Sequence, residues 1–197
     1  MRFQKYFNQI FARGSHVKII RVLVSSPGKE WSERELATAA GIDHKVVSHM
    51  MPLLVSYKLV SKQQIAKANV YRLNGKHYIV KQLRRLFENE RKTPEYLKQR
   101  LTRACARNKH ILSATLFGSV ARGTEEPDSD IDLLILTDGH TNLKGLFEGV
   151  EVEFGHVVAP HLWTFDQLQT KKRSTIFRKI LQEGQHIYGR RLEELVR

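Results

Sequence analysis

Cysteine is nearly absent from this chain: Cys105 is the only one among 197 residues. An internal disulfide and a multi-cysteine zinc site are therefore excluded. No stretch reaches the roughly 18 apolar residues that a membrane-spanning helix needs. The opening MRFQKYFNQIFARGSH is interrupted by Gln, Lys, Asn and Arg, so it lacks the apolar run of a signal peptide. These absences predict a cytoplasmic protein with no membrane partner. The nine histidines include no His-Glu-x-x-His spacing and read as scattered surface or core residues. Aromatic residues are not interleaved with the basic ones, which argues against a surface for stacking single-stranded bases.

Acidic residues are scarce on one side only. Residues 1–92 carry 18 Lys and Arg against 6 Asp and Glu, a net charge of +12. Residues 93–197 carry 15 against 14, a net of +1. Such asymmetry points to an N-terminal part that faces a polyanion. It also suggests two domains, 1–92 and 93–197, with the boundary in Glu88–Tyr96, where Thr93-Pro94 reads as the start of a helix.

In the first half, His16–Ser25 has apolar residues at helical spacing and stops at Ser26-Pro27-Gly28. Ser32 followed by Glu35 is a capping box, and Gly41 suits the end of that helix. Asp43 then caps a helix with an apolar stripe of Val46, Val47, Met50, Leu53 and Leu54. Leu59–Asn74 reads as a β-hairpin around Lys67-Ala68-Asn69. Three helices and a hairpin in this order make a winged helix-turn-helix. Its reading helix presents His44, Lys45, Ser48 and His49 opposite the apolar stripe, and its hairpin presents Lys62, Lys67, Asn69 and Arg72. Double-stranded DNA is the expected partner, although such modules also serve protein interaction and dimerisation. Pro52 falls inside the reading helix, where a bend or early end is expected.

In the second half, the chain from Tyr96 reads as a helix, Ile111–Phe117 and Ser129–Leu136 as buried strands, and Gly149–Val158 as a third strand. Leu162–Gln169 and Thr175–Glu183 read as helices. The fold class expected for the whole chain is α+β.

The chemistry concentrates in LFGSVARGTEEPDSDIDLLIL, Leu116–Leu136. Residues i and i+2 on a strand share a face, so Asp130 and Asp132 project together. Two like charges at that separation favour a cation between them. Mg²⁺ suits carboxylate and phosphate oxygens together. Gly118 permits close backbone approach, Ser119 and the turn's N–H groups can hold a phosphate, and Arg122 can add charge-assisted hydrogen bonds. These parts fit nucleotidyl transfer from a nucleoside triphosphate.

The run Gly118-Ser119-Val120-Ala121-Arg122-Gly123, followed by Ser129-Asp130-Ile131-Asp132-Leu133, resembles the signature of the minimal nucleotidyltransferases of the DNA polymerase beta superfamily. The resemblance covers about 96–190. Residues 14–91, with VKIIRVL, SERELATAAGI, VVSHMMPLL and ANVYRLNGKHYIVKQL, look like the winged helix-turn-helix half of prokaryotic regulators fused to such a domain. The resemblance implies a short mixed sheet flanked by helices, Mg²⁺ or Mn²⁺, an NTP such as ATP, and a homodimer. It also implies a third carboxylate on the next strand, where this chain offers Glu151 and Glu153. Glu153 is preferred by its distance to Ala159-Pro160. Asp130, Asp132 and Glu153 then form the expected catalytic and metal-binding set, with Gly118, Ser119 and Arg122 for the nucleotide. Two other readings stay open: a regulator whose second domain senses a nucleotide or only dimerises, and an antitoxin-like transferase acting on a partner protein.

Overall fold

The computed structural model describes residues 6–65 and 68–196. The chain forms two compact units, Met1–Arg91 and Lys92–Arg197.

In the first unit, α1 (Tyr6–Ile10) and α2 (Gly14–Ser25) precede a short strand, β1 (Glu30–Ser32). Ser32 then caps α3 (Glu33–Ala40) in a reciprocal capping box with Glu35, and Gly41 ends it at φ +60. Asp43 caps α4 (His44–Ser56) by accepting from the Lys45 N–H. The hairpin is β2 (Val60–Ile65) and β3 (Ala68–Leu73), and β1 adds to it, giving the antiparallel order β1-β3-β2. Ile19, Leu23, Leu36, Val47, Met50, Met51, Leu54 and Tyr71 form one buried core beneath the three main helices and the sheet. This is the winged helix-turn-helix order, with a strand the sequence reading did not foresee. Pro52 does not end α4. It lies exposed, so the backbone bond it removes is lost on the solvent side.

The helix start expected at Thr93-Pro94 is absent: α5 (Tyr78–Cys105) runs continuously through Pro94. Proline's fixed φ is helical, and the cost is one absent N–H.

The second unit contains β4 (Ile111–Phe117), α6 (Gly118–Arg122), β5 (Ile131–Thr137), α7 (Glu148–Phe154), β6 (Val158–Thr164), α8 (Phe165–Lys171), α9 (Thr175–Glu183), β7 (Gln185–Gly189) and α10 (Leu192–Leu195). The sheet order is β6-β5-β4-β7. Strand β5 pairs parallel with β6 and antiparallel with β4, so the sheet is mixed. Alternation along β5 separates two cores. Ile131, Leu133 and Ile135 pack with Leu97, Leu101, Phe147 and Val150 on one face. Leu134 and Leu136 pack with Trp163, Leu168, Phe177 and Ile180 on the other. Cys105 is buried in the first of these cores, and burial pushes its thiol up to about 12, so it packs as a small apolar residue.

The stretch Gly149–Val158 is not the expected strand: Gly149–Phe154 belong to α7, and only Val158 belongs to a strand, β6. Its Val-Glu-Val-Glu alternation yields to a longer pattern: Phe147, Val150 and Phe154 fall three and four apart and turn inward, while Val152 is 87% exposed. Gly155 ends this helix at φ +72. Leu162 and Trp163 belong to β6 rather than to a helix, and α8 starts only after Thr164. That threonine forms a capping box with Gln167.

Candidate functional site

The site in the second unit grows from the opposition of Gly118 and Asp132. Phe117, the last residue of β4, pairs with Asp132 on β5, and the chain turns at once into α6. Gly118 takes φ +76 in that turn. A Cβ there would stand 2.1 Å from Asp132 Oδ2, so only glycine lets this carboxylate lie against the turn. The Gln185 side chain donates to the Ala121 carbonyl and ties α6 to β7. His156 contacts the Ser129 carbonyl through Nδ1 at 2.8 Å, which steadies the loop just before Asp130.

Asp132 shares its sheet face with Leu134 and Leu136, the face that α9 covers. A cavity of about 480 Å³ opens there. It is lined by Gly118, Ser119 and Arg122 of α6, by Asp132, and by Thr175, Ile176, Lys179 and Glu183 of α9. Four of the predicted residues, Gly118, Ser119, Arg122 and Asp132, therefore meet in one place. Arg122 Nη1 donates to Glu183 Oε2 at 3.0 Å. Asp130 lies exposed one residue before β5 and does not line the cavity. Since α6 has only five residues, its dipole is small, and an anion in the cavity would be met by side chains rather than by a helix dipole.

Glu153 is placed elsewhere. It lies on α7, whose Val150 packs on the sheet face opposite Asp132. Its carboxylate accepts from Tyr96 and, at 2.5 Å, from Arg100 Nε, both on α5. Those two donors hold its pKa below the ordinary glutamate range. Glu151 accepts from the Val158 N–H at 2.9 Å and links α7 to the start of β6. The strand beside Asp132 is β6, in register Asp132 with Ala159 and Leu134 with His161. His161 thus stands beside Asp132 on the neighbouring strand. Its Nε2 is 3.8 Å from Asp132 Oδ1, and its ring packs on Phe117 at a centroid distance of 5.3 Å.

Among the described residues no three His, Cys, Asp or Glu side chains gather to hold an ion unaided. The donor set nevertheless fits Mg²⁺, which takes one or two carboxylates and completes its shell with substrate phosphate and water. Asp130 and Asp132 are the residues that would hold it.

Sequence reasoning missed His161, Lys179 and Glu183. The capping box at Thr164 was the available signal for the first, because it places Pro160–Trp163 in a strand. The spacing Thr175, Lys179, Glu183 was the signal for the others, since positions four apart share a helix face.

In the first unit, Lys45 and His49 are exposed on α4. His44 and Ser48 are occupied. Ser48 donates to Glu33 Oε2, His44 Nε2 lies 3.5 Å from the same oxygen, and Tyr71 donates to Glu33 Oε1 at 2.8 Å. Burial would raise the Glu33 pKa, but the hydrogen bonds from Ser48 and Tyr71 and the charges of His44 and Lys62 outweigh it and hold it low. Glu33 therefore fastens α4 to the start of α3 and to the hairpin. Lys62 and Arg72 are exposed, and with Lys58 and Lys76 they line a basic cleft of about 680 Å³. Asn69 lies half-buried on β3, and Lys67 lies outside the described residues. Among the described residues no helix is long and apolar enough to cross a membrane.

Residues 97–182 match the family model of the nucleotidyltransferase domain. No curated protein matches the chain. Among solved structures, the chain is similar to the homodimeric winged helix-turn-helix DNA-binding domain of a possible ArsR-family transcriptional regulator from Mycobacterium bovis. That match has 20% identity over 46% of this chain and 81% of the other, with a TM-score of 0.38. NolR from Sinorhizobium fredii matches at 24% identity over 42% and 79%, with a TM-score of 0.35. A toxin-antitoxin structure with AMP-PNP matches at 18% identity over 50% and 80%, with a TM-score of 0.38. The chain joins a unit in winged helix-turn-helix order to a second unit whose residues 97–182 match the nucleotidyltransferase domain model.

Proposed function

We propose that this protein is a Mg²⁺-dependent nucleotidyltransferase coupled to a DNA-binding domain, and that it moves a nucleoside monophosphate from an NTP, ATP by preference, to an acceptor. One observation carries the reading: Asp132, Gly118, Ser119 and Arg122 share a single cavity in a domain of nucleotidyltransferase type. An acceptor oxygen attacks the α-phosphorus, the bond from that phosphorus to the bridging oxygen breaks, and pyrophosphate leaves with the electron pair. Mg²⁺ held by Asp130 and Asp132 with the triphosphate would neutralise phosphate charge. The chain's own residues position the substrate. Gly118 leaves room for Asp132 and for close approach, the Ser119 hydroxyl donates to a phosphate oxygen, and Arg122 adds charge from the end of α6. His161, whose Nε2 lies 3.8 Å from Asp132 Oδ1, is the group we assign to take the acceptor's proton.

The first unit supplies a DNA surface through Lys45, His49, Lys62 and Arg72, with His44 and Ser48 positioned through Glu33. A homodimer would place two reading helices on one duplex, and a cytoplasmic, regulatory role follows. A second reading has its own support. Strand β6 offers a histidine and no carboxylate beside Asp132, which favours a regulator that senses the nucleotide without turning it over.

The two readings separate on incubation with Mg²⁺ and each α-labelled nucleoside triphosphate, with and without cell extract. Label moved onto an acceptor supports the transferase. Saturable nucleotide binding that shifts DNA affinity, without product, supports the sensor. In the same preparation Lys45→Glu is expected to weaken duplex binding about tenfold, because it removes a cation and adds an anion at the groove-facing surface. Unchanged duplex affinity would overturn the assignment of α4 as the reading helix.

A further inference from the structure

We propose that α9 forms the second wall of the nucleotide site, with Lys179 holding the triphosphate and Ile176 packing on the base; the inference rests on the reading above that the cavity takes a nucleoside triphosphate. The lining residues Thr175, Ile176, Lys179, Ile180 and Glu183 make one continuous face of α9. Ile180 anchors that face in the core with Phe177, Leu134 and Leu136, so the rest is presented from a fixed helix.

The charges on this wall divide by role. Glu183 is taken up by Arg122 at 3.0 Å. Asp132 faces Gly118 and His161. Lys179 is the lining cation that forms no ion pair among the described residues. A triphosphate carries more charge than one divalent ion offsets, and a lysine ammonium serves it as a point charge. Ile176 lines the same cavity with 45% of its surface exposed. An exposed β-branched apolar side chain inside a polar site gains from covering by a flat, partly apolar ring. The cavity's size lies within the range of small-molecule sites. Binding therefore runs across the cavity, with the Asp132 carboxylate on β5 at one side and the phosphate and base contacts on α9 at the other.

The test uses the full chain and equilibrium dialysis of labelled ATP, ADP and AMP with Mg²⁺. Lys179→Ala is expected to raise the Kd for ATP about tenfold and to affect AMP much less, because it removes a contact to the distal phosphates. Ile176→Ala is expected to weaken all three several-fold, since it removes contact to the shared base. Arg178→Ala removes the same charge from another face of α9, away from the cavity lining, and should leave binding unchanged. Lys179 is exposed at mid-helix, so its replacement by alanine keeps the fold. If the wild type binds ATP and Lys179→Ala binds it equally, the assignment of α9 is overturned while the site reading stands. If Arg178→Ala weakens ATP as much as Lys179→Ala does, the effect is general charge and the assignment is again overturned. If the wild type binds no triphosphate, both readings fall.

Discussion

Gly118→Ala is expected to lower nucleotide binding and turnover by about 100-fold while the protein still folds. Two costs combine at this position. Alanine at φ +76 sits in the left-handed region, which strains the turn by about 1–2 kcal/mol. The new methyl would also lie 2.1 Å from Asp132 Oδ2. The carboxylate is the movable partner, so it rotates away and the second unit survives. What is lost is its position, and a displacement of about 1 Å in a reacting group is enough for a 100-fold effect. Gly123→Ala separates the two costs. Gly123 has a similar φ of +66 but open space around its Cβ position. It should lose comparable stability in a thermal melt and keep nucleotide binding. Equal loss of binding in the two variants would show that backbone strain, rather than the collision with Asp132, explains the glycine.

The second large effect is expected from Asp130→Asn with Asp132→Asn. Nucleotide turnover should fall by about 1,000-fold or more, since both carboxylates proposed to hold the metal lose their charge. The fold should not suffer. Asp130 is exposed, and Asp132 is half-buried at the rim of the sheet, where the amide has nearly the same shape. Without metal, the double variant should melt no lower than the wild type, because it relieves repulsion between neighbouring carboxylates. Turnover that survives the substitution contradicts the site. A collapse of the melting temperature would mean that the pair is structural.

The sequence carried the first unit almost complete, because its cues are local. The Ser32–Glu35 box, Gly41 and the Asp43 cap each act within one helical turn, and each appears in the structure in that role. Strand β1 escaped because three residues, Glu30–Ser32, carry no periodicity and exist only through pairing with β3. In the second unit, the run Gly118–Asp132 was legible because its cues are residue types visible in the chain: a glycine at the turn after one strand and an acidic residue at the head of the next, which the structure packs together. Glu153 was misplaced because Val150-Glu151-Val152-Glu153 alternates like a strand over four residues. The deciding signal was the wider spacing of Phe147, Val150 and Phe154, which only the packing against α5 reveals. The error propagated: once α7 was read as a strand, β6 was split between that strand and a helix, and His161 went unnoticed. The α9 wall was invisible for another reason. Lys179 and Asp132 are 47 positions apart in the chain, and nothing short of the fold brings them to one cavity.

A cavity that takes a nucleoside triphosphate together with a divalent metal must bind the two interdependently. The most direct measurement is equilibrium binding of α-labelled ATP to the full chain, once with Mg²⁺ and once with excess chelator. Saturable binding of one ATP per chain is expected with Mg²⁺, with at least a tenfold loss of affinity in chelator. Affinity that is the same with and without the metal, or no saturable binding up to millimolar ATP, would contradict the assignment of this cavity.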